Sequence, residues 1–456
     1  MQGDMTIGRP GWLDRFFAVT ESGSTVRTEI IAGITTFLAA SYVIVVNPAI
    51  VANAGIPFSA GVTATVLVSF ISSCAMGLYA RSPILVAPGM GINALFTFTI
   101  VLGMHVPLTT ALGCTFLAGL VFTLLALLDL RTLLIVAIPS ALKYGIACGI
   151  GLFLALLGLV NAKFVIGNPI TIVSVGPFDA VILTFLAGLV LTMGFVLRKL
   201  PGALMAGVVA TTLLALPIGR WYGDGSAWSV GGKIPTLVNY TGLIAAPDFS
   251  VIGQIDILGA CRLAYLPIIF VLLFTNFIDA MSTFLALAEA GSLKDKDGLP
   301  RYMTQTMHVD AIASLIAAPL GTSPGTAYLE SATGIAAGGR TGLVAVVCGL
   351  LFLPFLFLSP LLSLVPVVAT APALVMVGLF MMEGVAKIDW PDLEEAIPAF
   401  LAIILIPLSY SISLGISIAF VAYVLLKLIA GRAGQVKPAL WVAAAFSAVL
   451  LWQLKL

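Results

Sequence analysis

Apolar runs about as long as a bilayer is thick alternate with short polar clusters from residue 30 to residue 430. In the first half they span 30–47, 62–80, 109–128, 135–160, 179–198 and 201–217; in the second, 265–290, 304–319, 341–359, 363–383, 392–411 and 414–430. Each half also carries a shorter, interrupted run, near 89–103 and near 325–338. The stretch 218–262, broken by Gly, Asp and Trp, separates the two sets. Seven segments per half is an odd number, so the second half enters the membrane from the opposite side to the first. The expectation is an all-α polytopic membrane protein of 14 transmembrane segments in a 7+7 inverted repeat.

The interrupted runs carry the internal symmetry. Ala87-Pro88-Gly89-Met90-Gly91-Ile92-Asn93-Ala94 aligns with Ser323-Pro324-Gly325-Thr326-Ala327-Tyr328-Leu329-Glu330, and Pro139-Ser140-Ala141-Leu142 resembles Pro372-Ala373-Leu374. Pro and Gly at the approach, with Gly334, Gly338 and Gly339 at the exit, predict a non-helical lead-in followed by a short helix. Such backbone is tolerated at membrane depth only where protein or water surrounds it.

Composition agrees with a membrane setting: 60% of the residues are hydrophobic and 9% charged, against roughly 25% charged in soluble domains. A net charge of +1 leaves no basic footprint for nucleic acid. The five cysteines show neither metal nor disulfide spacing and read as small core residues. The N-terminus has no cleavable signal pattern. With the N-terminus inside, most of the 21 Lys and Arg fall in cytoplasmic loops, including Arg27, Arg81, Arg198, Lys294, Lys296, Arg340 and Lys387. That bias predicts a multi-pass protein of the cell's inner (plasma) membrane with a cytoplasmic N-terminus. The last apolar stretch, 439–454, is short for a crossing and is expected at the interface or packed on the bundle.

Two acids lie near the middle of these segments, Asp279 and Glu330. An ionised acid at the bilayer centre costs at least about 2.5–3.5 kcal/mol, so each needs either a structural partner or a ligand. Helix–helix hydrogen bonding is the bland reading; a polar site in which one acid binds and one titrates is the functional one. Asn276 and Thr283 lie about one turn either side of Asp279 and can share its face. Asn93 occupies the other short helix, Tyr328 offers a ring for stacking, and the amides from Gly325 through Thr326 to Ala327 would be donors at a helix N-terminus. Glu289, His308 and Asp310 border the loop from Lys294 to Arg301 and read as interfacial. Lys143 and Tyr144 read as snorkelling, and Asp389, Asp392, Glu394 and Glu395 as a solvated face. Gly338-Gly339-Arg340-Thr341-Gly342 lacks the strand and Lys of a phosphate-binding loop and reads as a tight turn. No nucleophile set or metal cluster stands in the spans, so neither an enzyme nor a cofactor is expected.

TAYLESATGIAAGGRTGL, APGMGINALF, TAPALVMVG and DWPDLEEAIPAF resemble the nucleobase:cation symporters related to uracil and xanthine permeases, in the branch of hypoxanthine, adenine and guanine permeases; the likeness runs from about Phe16 to Arg432. The resemblance implies a core domain (segments 1–4, residues 28–130, and 8–11, residues 263–360) and a gate domain (segments 5–7, residues 131–217, and 12–14, residues 361–432). Around them would lie a cytoplasmic N-terminus (1–27), an external loop (218–262) and a membrane-associated C-terminal helix (433–456). It also implies short strands before half-helices 3 and 10, Glu330 as the binding acid of segment ten, Tyr328 as the neighbouring ring and Asn93 as the polar residue of segment three. The implied activity is import of adenine, guanine or hypoxanthine by proton symport, with alternating access between the two domains; desolvation, which raises a carboxyl pKa toward the range a proton gradient controls, makes Asp279 and Glu330 the candidate proton-coupling groups. A planar base suits such a site, because its ring N–H groups donate to carboxylates and its faces stack on aromatic rings. An anion or other small-solute carrier on the same architecture is the alternative. One departure stands out: relatives carry two acids three residues apart in segment eight, and here the first is Asn276. The preferred purine, H⁺ against Na⁺, and the oligomeric state, a homodimer included, stay open at this level.

Overall fold

The computed structural model describes residues 12–128, 139–221, 243–290 and 302–453. The predicted cytoplasmic loop around Lys294, Lys296 and Arg301 and the tip of the external loop, 223–232, lie outside the described residues.

The chain is mostly helical. Its first half runs α1 (Val26–Ala40), α2 (Val43–Ala52), α3 (Phe58–Leu78), β1 (Val86–Pro88), α4 (Met90–Ala94), α5 (Leu108–Leu127), α6 (Ser140–Asn161), the hairpin β2 (Val165–Asn168) and β3 (Ile172–Val175), α7 (Ala180–Leu197) and α8 (Ala203–Trp221). The second half runs α9 (Leu266–Ala290), α10 (Met303–Leu320), β4 (Gly325–Ala327), α11 (Ser331–Ala336), α12 (Gly342–Phe352), α13 (Val367–Met381), α14 (Leu393–Leu408), α15 (Ile412–Ile429) and α16 (Pro438–Gln453). Among the described residues, eight helical stretches are long and apolar enough to cross a membrane, the first of them being α1 and α2 together. The chain is thus a polytopic membrane protein.

Local sequence accounts for the helix starts. Pro57, Pro107, Pro139 and Pro366 each stand at the N-cap position, where a fixed φ and a missing N–H fit a chain entering a helix. Asp179 and Ser411 accept hydrogen bonds from the first-turn amides of α7 and α15. The first span is interrupted by a turn at Ser41 and Tyr42, which the hydrophobic pattern alone did not reveal.

The two strands expected before the short helices are present, and they pair with one another. β1 and β4 run antiparallel, with Val86 opposite Ala327, Ala87 opposite Thr326 and Pro88 opposite Gly325. This register is symmetric about Ala87 and Thr326, so Val86–Pro88 is equivalent to Gly325–Ala327. The Pro-Gly alignment is therefore three residues out of step: Glu330 corresponds to Gly91 and not to Ala94. After Ala94 the first short helix widens into a π-helix, Leu95–Gly103, whereas α11 ends after six residues.

Small residues let the helices approach. A Cβ on Gly77 would lie 2.3 Å from the carbonyl oxygen of Gly342, and one on Gly342 2.0 Å from that of Gly77, so α3 and the start of α12 touch backbone to backbone. The C-terminal stretch is packed on the bundle: α16 contacts α15 and α9, with the Phe446 ring stacked on Phe270 at 4.8 Å.

Candidate functional site

The β1–β4 pair places the ends of two short helices side by side, and a polar cluster collects there. Glu330 caps α11 and is half-buried. Its Oε1 accepts a hydrogen bond of 2.7 Å from the Tyr42 hydroxyl. The break between α1 and α2 is what aims Tyr42, itself only 1% exposed, at this acid. Asp279 projects from α9, also half-buried, near enough to Glu330 for the two carboxyls to act on each other electrostatically. Among the described residues the buried Thr326 hydroxyl has no hydrogen-bond partner; Asp279 lies near it. Asp279, Thr326, Tyr328 and Glu330 thus lie near one another.

The other candidates have more structural positions. The Asn93 amide donates to Asn47 Oδ1 at 2.8 Å, and the Asn47 amide in turn donates to Thr65 (2.8 Å) and Thr322 (3.1 Å). This fully buried chain ties α2, α3, α4 and the lead-in to β4 into one unit, and only Asn93 Oδ1 is left without a partner. The Asn276 amide donates to the Ser314 hydroxyl on α10, leaving its Oδ1 free. Thr283 is buried at 8% exposure, a turn further along. Tyr328 is tied at both ends, its N–H to the Leu85 carbonyl and its hydroxyl to the Pro88 carbonyl. Its ring is therefore held rigidly beside the strand pair.

Three expectations need correction. Asp310 is not interfacial: it is 0% exposed, and its Oδ1 accepts the Ala327 N–H at 2.8 Å, which anchors β4 to α10. Two residues after His308 and near the middle of the run 304–319, it stands at a depth like that of Asp279 and Glu330, and grouping it with the polar loop that precedes the run is what hid it. The amides of Gly325 to Ala327 do not cap a helix, because these residues form β4 and the helix begins at Ser331. Glu394 is not simply solvated, since it pairs with Lys427 at 2.7 Å and Arg432 at 3.0 Å across α14 and α15. His308, half-buried, bridges Tyr79 and the Ala126 carbonyl, and Cys261, unlike the other cysteines, is exposed. Residues that sequence reasoning missed are Tyr42, Asn47, Thr322 and Glu29; Asn47-Pro48 inside an apolar run was the one available hint. No group of His, Cys, Asp and Glu suited to a metal occurs among the described residues.

A helical membrane protein in which two short strands hold broken helices opposite paired acids has the architecture of a solute carrier. Its fold matches the transmembrane domain of a cyanobacterial bicarbonate transporter, BicA, with a TM-score of 0.60 at 18% identity, covering 84% of this chain and 96% of that one. SLC26A9 matches with a TM-score of 0.60 at 12% identity, covering 91% of this chain and 68% of that one. Residues 27–450 match the profile described as Permease family, and the chain belongs to that family, the uracil/xanthine permeases. Among its relatives are the adenine permease AdeP of Escherichia coli (strain K12), 37% identical over 95% of this chain and 94% of that protein, and the guanine/hypoxanthine permease PbuO of Bacillus subtilis (strain 168), 38% identical over 92% and 96%.

Proposed function

We propose that this permease imports purine nucleobases by proton symport, moving between outward- and inward-open states as a core domain (residues 28–130 and 263–360) shifts against a gate domain (131–217 and 361–432). The carrying observation is that two half-buried acids lie beside the strand pair within electrostatic reach of each other, Glu330 held by Tyr42 and Asp279 on α9. Carboxylates accept the ring N–H groups of a purine; Tyr328, held near both acids, would contact its face, and Asn93, whose Oδ1 has no partner among the described residues, is the remaining polar candidate for its edge. The permease relatives named for adenine and for guanine and hypoxanthine support the same substrate class. We place the protein in the inner membrane with its N-terminus in the cytoplasm, crossing 14 times, with Asp279 and Glu330 sharing the coupling proton.

The structural neighbours are named as a bicarbonate transporter and an anion transporter, but two acids at the site repel an anion, which makes a base the better occupant. Uptake of a panel of radiolabelled purines, pyrimidines and bicarbonate at two external pH values, in cells lacking their own permeases, tests the proposal. Accumulation of at least one purine, stronger at the more acidic pH, is the expected result. Uptake of bicarbonate alone, or purine uptake indifferent to pH and driven by Na⁺, would overturn the substrate or the coupling respectively.

A further inference from the structure

Glu29 is a fully buried carboxylate that the proposed transport chemistry does not use. It sits in the first turn of α1, and every described partner of its side-chain oxygens lies more than 300 residues away. Its Oε1 accepts the Arg340 N–H at 2.9 Å, and its Oε2 accepts the Thr341 N–H at 3.0 Å and the Thr341 hydroxyl at 2.7 Å. Thr341 is the N-cap of α12, so the carboxylate lies where unpaired amides and the helix dipole favour negative charge. The Arg340 guanidinium turns back onto the carbonyls of Ile335 and Gly339, at 2.7 and 2.8 Å, and closes the far end of α11.

α1 and the break that follows it meet α11 at two further levels. Alongside it, a Cβ on Gly334 would lie 2.0 Å from Thr36 Oγ1 and 2.7 Å from the Ala32 carbonyl oxygen, so α11 lies directly on α1. At its start, Tyr42 holds Glu330. A six-residue helix with a non-helical lead-in has too few hydrogen bonds of its own to fix its orientation. Its direction must come from what clamps its two ends, and Glu29 clamps the exit.

We propose that Glu29 is a positioning residue for the site. By fixing the turn from Gly338 to Thr341 it sets the tilt of α11, and through that tilt the place of Glu330 relative to Asp279. Gly334 belongs to the same device, since only a residue without a side chain lets α11 rest on α1. This role rests on Glu330 being the substrate-binding acid, as proposed above.

The test compares Glu29→Gln and Gly334→Ala with the parent protein, each purified and shown to be monodisperse. Glu29→Gln turns one acceptor oxygen into a donor facing backbone N–H groups. Both variants should raise the dissociation constant for the transported purine at least tenfold. In a Leu329→Cys background, where the new thiol lies on an exposed residue beside Glu330, each should also change the alkylation rate at least threefold with no ligand present. A merely structural role would lower yield and melting temperature while the folded fraction bound purine normally, and binding within twofold of the parent in both variants overturns the proposal. If Glu29→Gln cannot be purified, Gly334→Ala decides. If the parent protein binds no purine, the functional reading fails, and the alkylation rates still decide whether α1 sets the position of α11: unchanged rates reject it.

Discussion

Glu330 is the residue on which binding turns. Glu330→Gln keeps the shape and the bond from Tyr42 but replaces an acceptor with a donor on the other edge. Losing both acceptor bonds to a base should cost about 2–4 kcal/mol, roughly 30- to 1000-fold in affinity. Scintillation proximity binding on the purified protein measures this, and affinity within threefold of the parent would remove Glu330 from the site. Tyr42→Phe removes only the supporting donor, and a hydrogen bond to a charged group is worth about 1.5–3 kcal/mol, so its affinity loss should be roughly 10- to 100-fold and smaller than that of Glu330→Gln. Asp279 differs in its surroundings: Asn276, three residues earlier, is engaged with Ser314, which leaves Asp279 as the acid of that helix face near Thr326. A buried carboxyl has to be neutral for an empty carrier to reorient through a dry gate, because carrying an ionised group there costs several kcal/mol. Asp279→Asn should therefore abolish accumulation driven by a pH gradient while exchange of internal for external base continues. Accumulation that persists in this variant would pass the coupling role to Glu330 or to another cation.

Between elements, the crossing of α3 with α12 has the least room. Gly342→Ala inserts a methyl where the Gly77 carbonyl already stands at 2.0 Å. Overpacking of this kind costs about 1–3 kcal/mol, so the melting temperature of the purified protein should fall, and an unchanged value would mean that the helices slide apart freely. A second junction lies outside the membrane-spanning helices. Asp248 accepts from Ser59 at 2.6 Å, and its N–H donates to Thr63, which fastens the described end of the external loop to α3. The Ser59 hydroxyl, with help from Ser250, holds the Asp248 carboxyl below its usual range. A depressed carboxyl stabilises the folded state above its unfolded value of about 4 and loses that contribution as pH falls through the folded value. Protection of this loop from proteolysis should accordingly decline in acid below about pH 4, and Asp248→Asn should make the protection independent of pH.

For the molecule as a whole the central prediction is sidedness. Single cysteines introduced between Ser292 and Tyr302 should label from the cytoplasm, and those between Gly223 and Gly232 from outside. Labelling of both loops from one side would refute the inverted repeat. The pairing of β1 with β4 already brings the interrupted runs of the two halves together in a symmetric register, as an inverted repeat requires. Glu394, bridging Lys427 and Arg432, joins α14 to α15 within the proposed gate, so the gate carries its own internal tie, separate from those of the core.

The sequence by itself determined what depends on composition and on neighbours along the chain. Apolar runs of membrane length gave helices 30–47 through 414–430 nearly in place, because burial in lipid leaves a backbone little choice but a helix. Pro and Gly punctuation located the non-helical lead-ins and α11, since those residues constrain the backbone whatever surrounds them, whereas the strands there were implied only by the family resemblance. Asp279 and Glu330 were legible because a charge at mid-membrane is costly enough to demand an explanation. What only the tertiary structure decided is which distant groups meet. Nothing local shows that Tyr42 reaches Glu330, that Asp310 anchors Ala327 or that Glu29 caps a helix more than 300 residues further on. The three-residue error in equating the two Pro-Gly motifs has the same origin. Strand register is set by hydrogen bonds between segments far apart in the chain, and a short motif repeated in each carries no record of that pairing.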